Sequence, residues 1–296
     1  MIAKGWKQSK WVSWLRPVKR LLFPSVHSLT LFPPVWPGVV LPPPTIADLS
    51  GAERAKLFQE ITLADLNDQL GAPDVGARVS QILKSLSYET ANQAPGPFRN
   101  PFVATPYWDH CYALTWFAGR FRPANYLEIG GGIGQSIAMV ALNSPRTALV
   151  CLERPSRDPQ ARYSPKIIRR ELSRCGATAP VTLVSGHAQR TISGGLAEGA
   201  QHQFPGRPRT EAFDLIFVDG ARSPQTMSHD LKKAFRQCSL GGLVVSCAAE
   251  PKSMRFAGQY CPRLHGLWEH FQFRFPGFRF VKGSEGCEVG LAFRIC

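Results

Sequence analysis

Residues 126–136 read Tyr-Leu-Glu-Ile-Gly-Gly-Gly-Ile-Gly-Gln-Ser, and the fold follows from how that stretch changes character along its length. Tyr126 to Ile129 is a short apolar run carrying one acid, Glu128. A run of this kind, bounded by turn residues, reads as a strand covered on both faces. Gly130, Gly131, Gly132 and Gly134 then turn the chain. Glycine tolerates positive φ and lets a backbone approach a ligand closely. From Ser136 to Leu142 the pattern is helical, and the first N–H groups of a helix have no partner within it. Strand, glycine turn and helix together form the opening of a ligand-binding crossover in an α/β sheet.

Outward from this point the alternation continues. Ala148 to Leu152, Val181 to Val184, Phe213 to Val218 and Leu243 to Cys247 are further strand candidates. Ser164-Pro165 precedes a helix over Lys166 to Cys175, and Ser223-Pro224 precedes one over Gln225 to Gln237. Thr105-Pro106 starts another, with Trp108, Cys111, Tyr112, Thr115 and Trp116 as its buried stripe. Proline is at home in a first helical turn, where its missing N–H costs nothing. Near-continuous apolar strands between helices predict a parallel sheet covered on both faces. The end differs. Phe278 to Lys282 and Val289 to Ile295 are separated by a connection too short for a parallel crossover, which predicts an antiparallel hairpin.

Three zones emerge. Residues 1–48 are a basic, Pro-rich extension, residues 49–100 a helical lead-in, and residues 101–296 the α/β domain. Within the lead-in, Ser50-Gly51-Ala52-Glu53 is a capping box, followed by Leu57, Ile61 and Leu66 at roughly helical spacing. Val79, Ile82, Leu83 and Leu86 mark a second amphipathic helix. Residues 92–101 read as a linker, and the Gly/Pro-rich stretch from Gly194 to Arg209 as a surface insertion.

Composition narrows the class. At 296 residues, with 44% hydrophobic and 19% charged residues, the chain can bury a substantial core. A net charge of +14 favours anionic partners without selecting one. The eight cysteines form no Cys-x-x-Cys pair and several lie in apolar stretches. They read as reduced thiols of a cytoplasmic protein, not a disulfide framework or zinc site. No run of 18 apolar residues exists, so a membrane-spanning helix is not expected. In the N-terminal zone Lys4, Lys7, Lys10, Arg16, Lys19 and Arg20 are interleaved with Trp6, Trp11 and Trp14. That zone is either a solvated extension or a peripheral contact for an anionic membrane surface.

The glycine loop discriminates between ligands. A dinucleotide fingerprint needs glycine at its sixth position, and counting from Gly130 that position is Gln135. What remains is acid-x-Gly-x-Gly-x-Gly, from Glu128 through Gly130, Gly132 and Gly134. Here the chain resembles the class I S-adenosylmethionine-dependent methyltransferases, over roughly residues 101–296. "RPANYLEIGGGIGQS" and "FDLIFVDGARS" are most similar to the small-molecule and sugar-modifying subgroup whose fourth strand ends in Val-Asp-Gly. The resemblance implies a Rossmann-like seven-stranded, mostly parallel sheet with a C-terminal antiparallel hairpin and helices on both faces.

It also implies S-adenosylmethionine as cofactor, its methionine end held by Glu128, Gly130, Gly132 and Gly134. Glu153, after the second strand, is implied to accept hydrogen bonds from both ribose hydroxyls, which suits a two-oxygen carboxylate. His187 and Ala188 are implied to contact adenine, although His187 replaces the usual acid. Asp219 is implied to sit beside the transferring methyl group, as cofactor contact and first candidate for catalysis, with His110 a weaker second base. Two departures stand out: Arg222 where relatives carry histidine, and Ser246-Cys247 where they often carry an acid. With Asp219 the one obvious carboxylate there and Glu250 a distant second, no metal site is expected.

The implied reaction is O- or N-methylation of a small molecule or glycan precursor. Arg154, Arg157, Arg162, Lys166, Arg169, Arg170 and Arg174 form either a solvated basic face or a docking surface for an acidic substrate or RNA. An RNA methyltransferase is therefore the second reading. A non-catalytic cofactor-binding or scaffold protein of the same fold is the third.

Overall fold

The structure is a computed structural model that describes residues 46–86, 110–130, 134–153, 165–185, 212–219, 224–247, 264–282 and 289–296. Within them lie seven strands: β1 (Asn125–Ile129), β2 (Ala148–Glu153), β3 (Val181–Ser185), β4 (Phe213–Val218), β5 (Cys238–Cys247), β6 (Phe278–Lys282) and β7 (Val289–Arg294). They form one sheet in the order β3-β2-β1-β4-β5-β7-β6. The first five are parallel, and β7 runs antiparallel to both β5 and β6. The expected mostly parallel sheet with its terminal hairpin is what forms. Strand β5 begins earlier than its apolar run suggests. Gly241 and Gly242 dilute the signal, and the ladder to β4 shifts register between Phe213 and Leu215.

Eight α-helices are described: α1 (Gly51–Glu60), α2 (Leu63–Leu70), α3 (Pro73–Ser85), α4 (His110–Phe121), α5 (Gln135–Asn143), α6 (Pro165–Arg174), α7 (Pro224–Gln237) and α8 (Leu264–Arg274). The predicted start of α4 at Thr105-Pro106 lies outside the described residues, as do residues 1–45, the linker at 92–101 and the insertion at 194–209. The capping box at Ser50 forms as expected, with the Glu53 N–H donating to Ser50 Oγ at 3.3 Å and the Ser50 N–H donating to Glu53 Oε2 at 2.8 Å. The apolar spacing through Leu57, Ile61 and Leu66 is, however, shared between two helices. A second capping box joins Thr62 and Asp65 and starts α2. Thr62 is extended (φ −96°, ψ 162°), because its hydroxyl serves the orphan N–H of Asp65 better than a continuous helix would.

Side chains alternate across the sheet, so each strand feeds two cores. Tyr126, Cys151, Leu215, Phe217, Val245 and Phe293 pack on one face beneath α1–α6. Leu127, Ile129, Leu152, Ile216, Val218 and Ala292 pack on the other, with Met227, Leu231 and Phe235 of α7 and Trp268 and Phe271 of α8. Parallel crossovers are right-handed, so reversing the strand order between β1 and β4 sends the helices before and after it to opposite faces.

The lead-in helices belong to the first of these cores. Phe58 of α1 is fully buried, with its ring 4.5 Å from Phe293 and 6.2 Å from Phe121. Arg279 of β6 donates to the Phe58 carbonyl at 3.1 Å. The first turn of α1 lies so close to β5 that a Cβ on Gly51 would stand 2.6 Å from the Leu240 carbonyl oxygen. A polar clasp reinforces the same corner. Asp214 accepts from the Ala124 N–H at 2.9 Å and Ser239 Oγ at 2.8 Å, and faces Arg54 at 3.8 Å. Arg54 in turn lies over the Phe121 ring at 4.7 Å.

Candidate functional site

In open α/β sheets ligands bind outside the carboxyl ends of the strands, where the strand order reverses. Here that point lies between β1 and β4. The registers pair Ile129 with Leu152 and Val218, and Glu153 with Ser185. One residue further on, Ser185, Glu153, Gly130 and Asp219 therefore stand level across four adjacent strand ends. With strands about 4.8 Å apart, this row spans roughly 14 Å. Two backbone bonds extend the ladder into the turns: the Gly130 N–H donates to Leu152 O and the Asp219 N–H to Ile129 O, each at 2.9 Å. The row is thus built by the sheet itself.

The glycine turn adopts the backbone that its composition predicts. Gly130 has φ +96°, and Gly134, the residue preceding the first turn of α5, has φ +91°. A Cβ at Gly134 would also meet the backbone and side chain of Ile168 on α6, at 3.5 Å. Those contacts are of ordinary van der Waals length, so it is the positive φ, not the space, that requires glycine there. Gly132, between them, lies outside the described residues.

Glu128 is fully buried on the same face as Tyr126. The Tyr126 hydroxyl donates to its Oε2 at 2.7 Å, and the Ser136 hydroxyl, in the first turn of α5, donates to its Oε1. Both carboxylate oxygens are thereby engaged by side chains of the protein. Burial, then the charges of Glu128, Cys151 and Asp219, push the Tyr126 phenol well above its ordinary pKa, so it remains a donor. Sequence reading placed Glu128 in the site but passed over Tyr126 and Ser136. The signal was present: Tyr126 and Glu128 are two residues apart on one strand, hence on one face.

Asp219 is half-buried at the end of β4 and acts electrostatically on Tyr126. His110 opens α4 and stacks on Phe217, ring centroids 5.1 Å apart and planes 19° from parallel. Phe217 is the register partner of Glu128. Burial pushes the His110 imidazole down to about 4, leaving it neutral and weakly basic at ordinary pH. His110 is thus a buried, neutral ring packed on Phe217. Glu153 ends β2 in the row, whereas His187 and Ala188 lie outside the described residues. Among the described residues no group of three or more His, Cys, Asp and Glu gathers to hold a metal ion. None of the described helices is long and apolar enough to cross a membrane.

Among the described residues, the acids at the ends of β1 and β4 are Glu128, which is enclosed by Tyr126 and Ser136, and Asp219, which is half-buried.

No protein-family model matches the sequence, and no curated protein matches it. Solved structures show a low similarity to it. The SAM complex of the O-methyltransferase TomG from Streptomyces achromogenes, involved in tomaymycin synthesis, is 17% identical with a TM-score of 0.46, over 76% of this chain and 91% of that one. The SAH-bound methyltransferase PaMTH1 of Podospora anserina is 17% identical with a TM-score of 0.46, over 86% and 98%. The Bacillus cereus O-methyltransferase in complex with SAH is 17% identical with a TM-score of 0.45, over 75% and 90%.

Proposed function

We propose that this chain is an S-adenosylmethionine-dependent methyltransferase acting on an oxygen or nitrogen of a small molecule or glycan precursor. The observation that carries the reading is the level row of Glu153, Gly130 and Asp219, opening onto the glycine turn before α5. When bound, S-adenosylmethionine supplies a methyl group on a sulfonium, which a nucleophile takes as the C–S electron pair leaves with sulfur. Glu153 receives the two ribose hydroxyls, fixing the cofactor across the row. Gly130 and Gly134 let the backbone close on its methionine end, and the N-terminal turn of α5 receives the carboxylate. Asp219 orients the acceptor and takes its proton as the new bond to carbon forms. Much of the remaining rate comes from holding nucleophile, methyl and sulfur in line. Calorimetry should show S-adenosylhomocysteine binding with at least micromolar affinity. Heat with NAD and none with S-adenosylhomocysteine would overturn the reading.

Glu153 is engaged before and during methyl transfer, so its loss should act on binding. A hydrogen bond to a charged group is worth roughly 1.5–3 kcal/mol, and Glu153→Gln keeps one carbonyl acceptor. The variant is expected to raise the cofactor KM about tenfold with kcat little changed, which steady-state kinetics would read directly. An unchanged KM would mean that the ribose is held elsewhere.

A second reading, RNA as the methyl acceptor, draws on α6. Lys166, Arg169, Arg170 and Arg174 are exposed on that helix, whose one acid, Glu171, is buried and paired with Arg170 at 3.0 Å. Ile168 on the same helix lies against Gly134, so the basic face flanks the glycine turn. Phosphate contacts make binding fall steeply with salt, so a salt-dependent gel shift would favour RNA over a small acceptor.

A further inference from the structure

We infer that Tyr126 and Ser136 are positioning residues for the cofactor, acting through Glu128 as a lock across the glycine turn. The inference rests on the methyltransferase reading and adds to it how the turn is held. The three residues belong to the beginning of β1, its end, and the first turn of α5. A carboxylate at the middle accepts a 2.7 Å hydrogen bond from Tyr126 on one oxygen and the Ser136 hydroxyl on the other. Strand and helix are thereby tied on both sides of the loop that the cofactor must meet. Glu128 then contributes to cofactor binding chiefly by fixing where Gly130 and Gly134 present their backbone.

The chemistry of the lock favours an ionised carboxylate. Two hydroxyl donors and the positive end of α5 stabilise the charged form of a fully buried acid. Among the described residues, the other titratable groups near it are Cys151 on β2, Asp219 after β4, and His110 on α4 against Phe217; α5 contributes the Ser136 hydroxyl. Removing one donor should make Glu128 harder to ionise, raising its pKa. Cofactor affinity, which needs the lock closed, should then begin to fail at a higher pH on the acid side.

Tyr126→Phe keeps the buried ring and removes only the donor, and Ser136→Ala removes the other donor on a different element. Two measurements on the full chain test the idea. In the ligand-free protein, hydrogen exchange of the amides of residues 134–138 should quicken about tenfold in either variant, with β4 and β5 unchanged. In calorimetry, S-adenosylhomocysteine affinity should fall about fivefold at neutral pH, with the acid limb displaced upward by about one pH unit. The double variant should lose less than the product of the single losses, because both act through one carboxylate. Unchanged exchange at 134–138 in both folded variants would overturn the lock, whatever the cofactor does. Quickened exchange with wild-type affinity and an unmoved acid limb would overturn its role in positioning the cofactor. If exchange quickens but the unmodified protein binds no S-adenosylhomocysteine, the methyltransferase reading falls and the positioning role falls with it.

Discussion

Replacing Asp219 by asparagine is expected to lower kcat about a hundredfold, the scale of a positioned general base, while leaving the cofactor KM nearly unchanged. The residue is suited to show this cleanly. One of its bonds at the sheet end is a backbone one, the N–H donating to Ile129 O at 2.9 Å, which the substitution leaves intact. Asparagine has the same shape and keeps one carbonyl acceptor, so what disappears is the negative charge and the capacity to take a proton. His110 is a poor substitute for it, because its ring is buried and stacked on Phe217. Steady-state kinetics on a panel of hydroxyl and amine acceptors, after circular dichroism has confirmed folding, would measure both constants. A near-normal kcat would reduce Asp219 to a strand-end cap and return the search for a base to the acceptor side of the site.

The second large effect is on stability. Phe58→Ala is expected to cost about 3–5 kcal/mol, the range for deleting a fully buried aromatic side chain. Phe58 belongs to the lead-in by sequence, yet its ring lies against Phe293 of β7 and Phe121 of α4. Its loss should therefore open a cavity in the core shared by α1–α6 and the sheet. Chemical denaturation followed by tryptophan fluorescence and circular dichroism would read the change. One cooperative transition shifted by that amount would make residues 49–86 part of the folding unit that carries the site. A loss under about 1 kcal/mol would show the lead-in to be a peripheral attachment.

Much of this molecule was legible in local pattern. Each of the seven strands was visible because a short apolar run, punctuated by glycine, proline or polar turns, has few other uses in a chain that alternates with helices. Gly130 and Gly134 were identifiable as turn residues because their neighbours on either side read as strand and helix, and both adopt positive φ. The hairpin of β6 and β7 followed from connection length alone, since distance along the chain limits what a connection can do.

Other features depend on contacts between residues far apart in sequence, and only the tertiary structure decides them. That Ser185, Glu153, Gly130 and Asp219 stand level is a matter of strand register, set by packing and not by any local motif. Glu128 reads along the chain as an acid waiting for a ligand. In the fold it is enclosed, because alternation places Tyr126 beside it and the turn returns Ser136 to it. His110 reads along the chain as a weaker second candidate for the base, and is held as a neutral ring because α4 packs it flat on Phe217, where a charge would lose its hydration. The lead-in reads as a preface to the domain, whereas Phe58, Arg54 and Gly51 seat it against the sheet. Local propensity thus determined which segments are strands and helices. Burial and register, which no window of sequence contains, decided which side chains face one another.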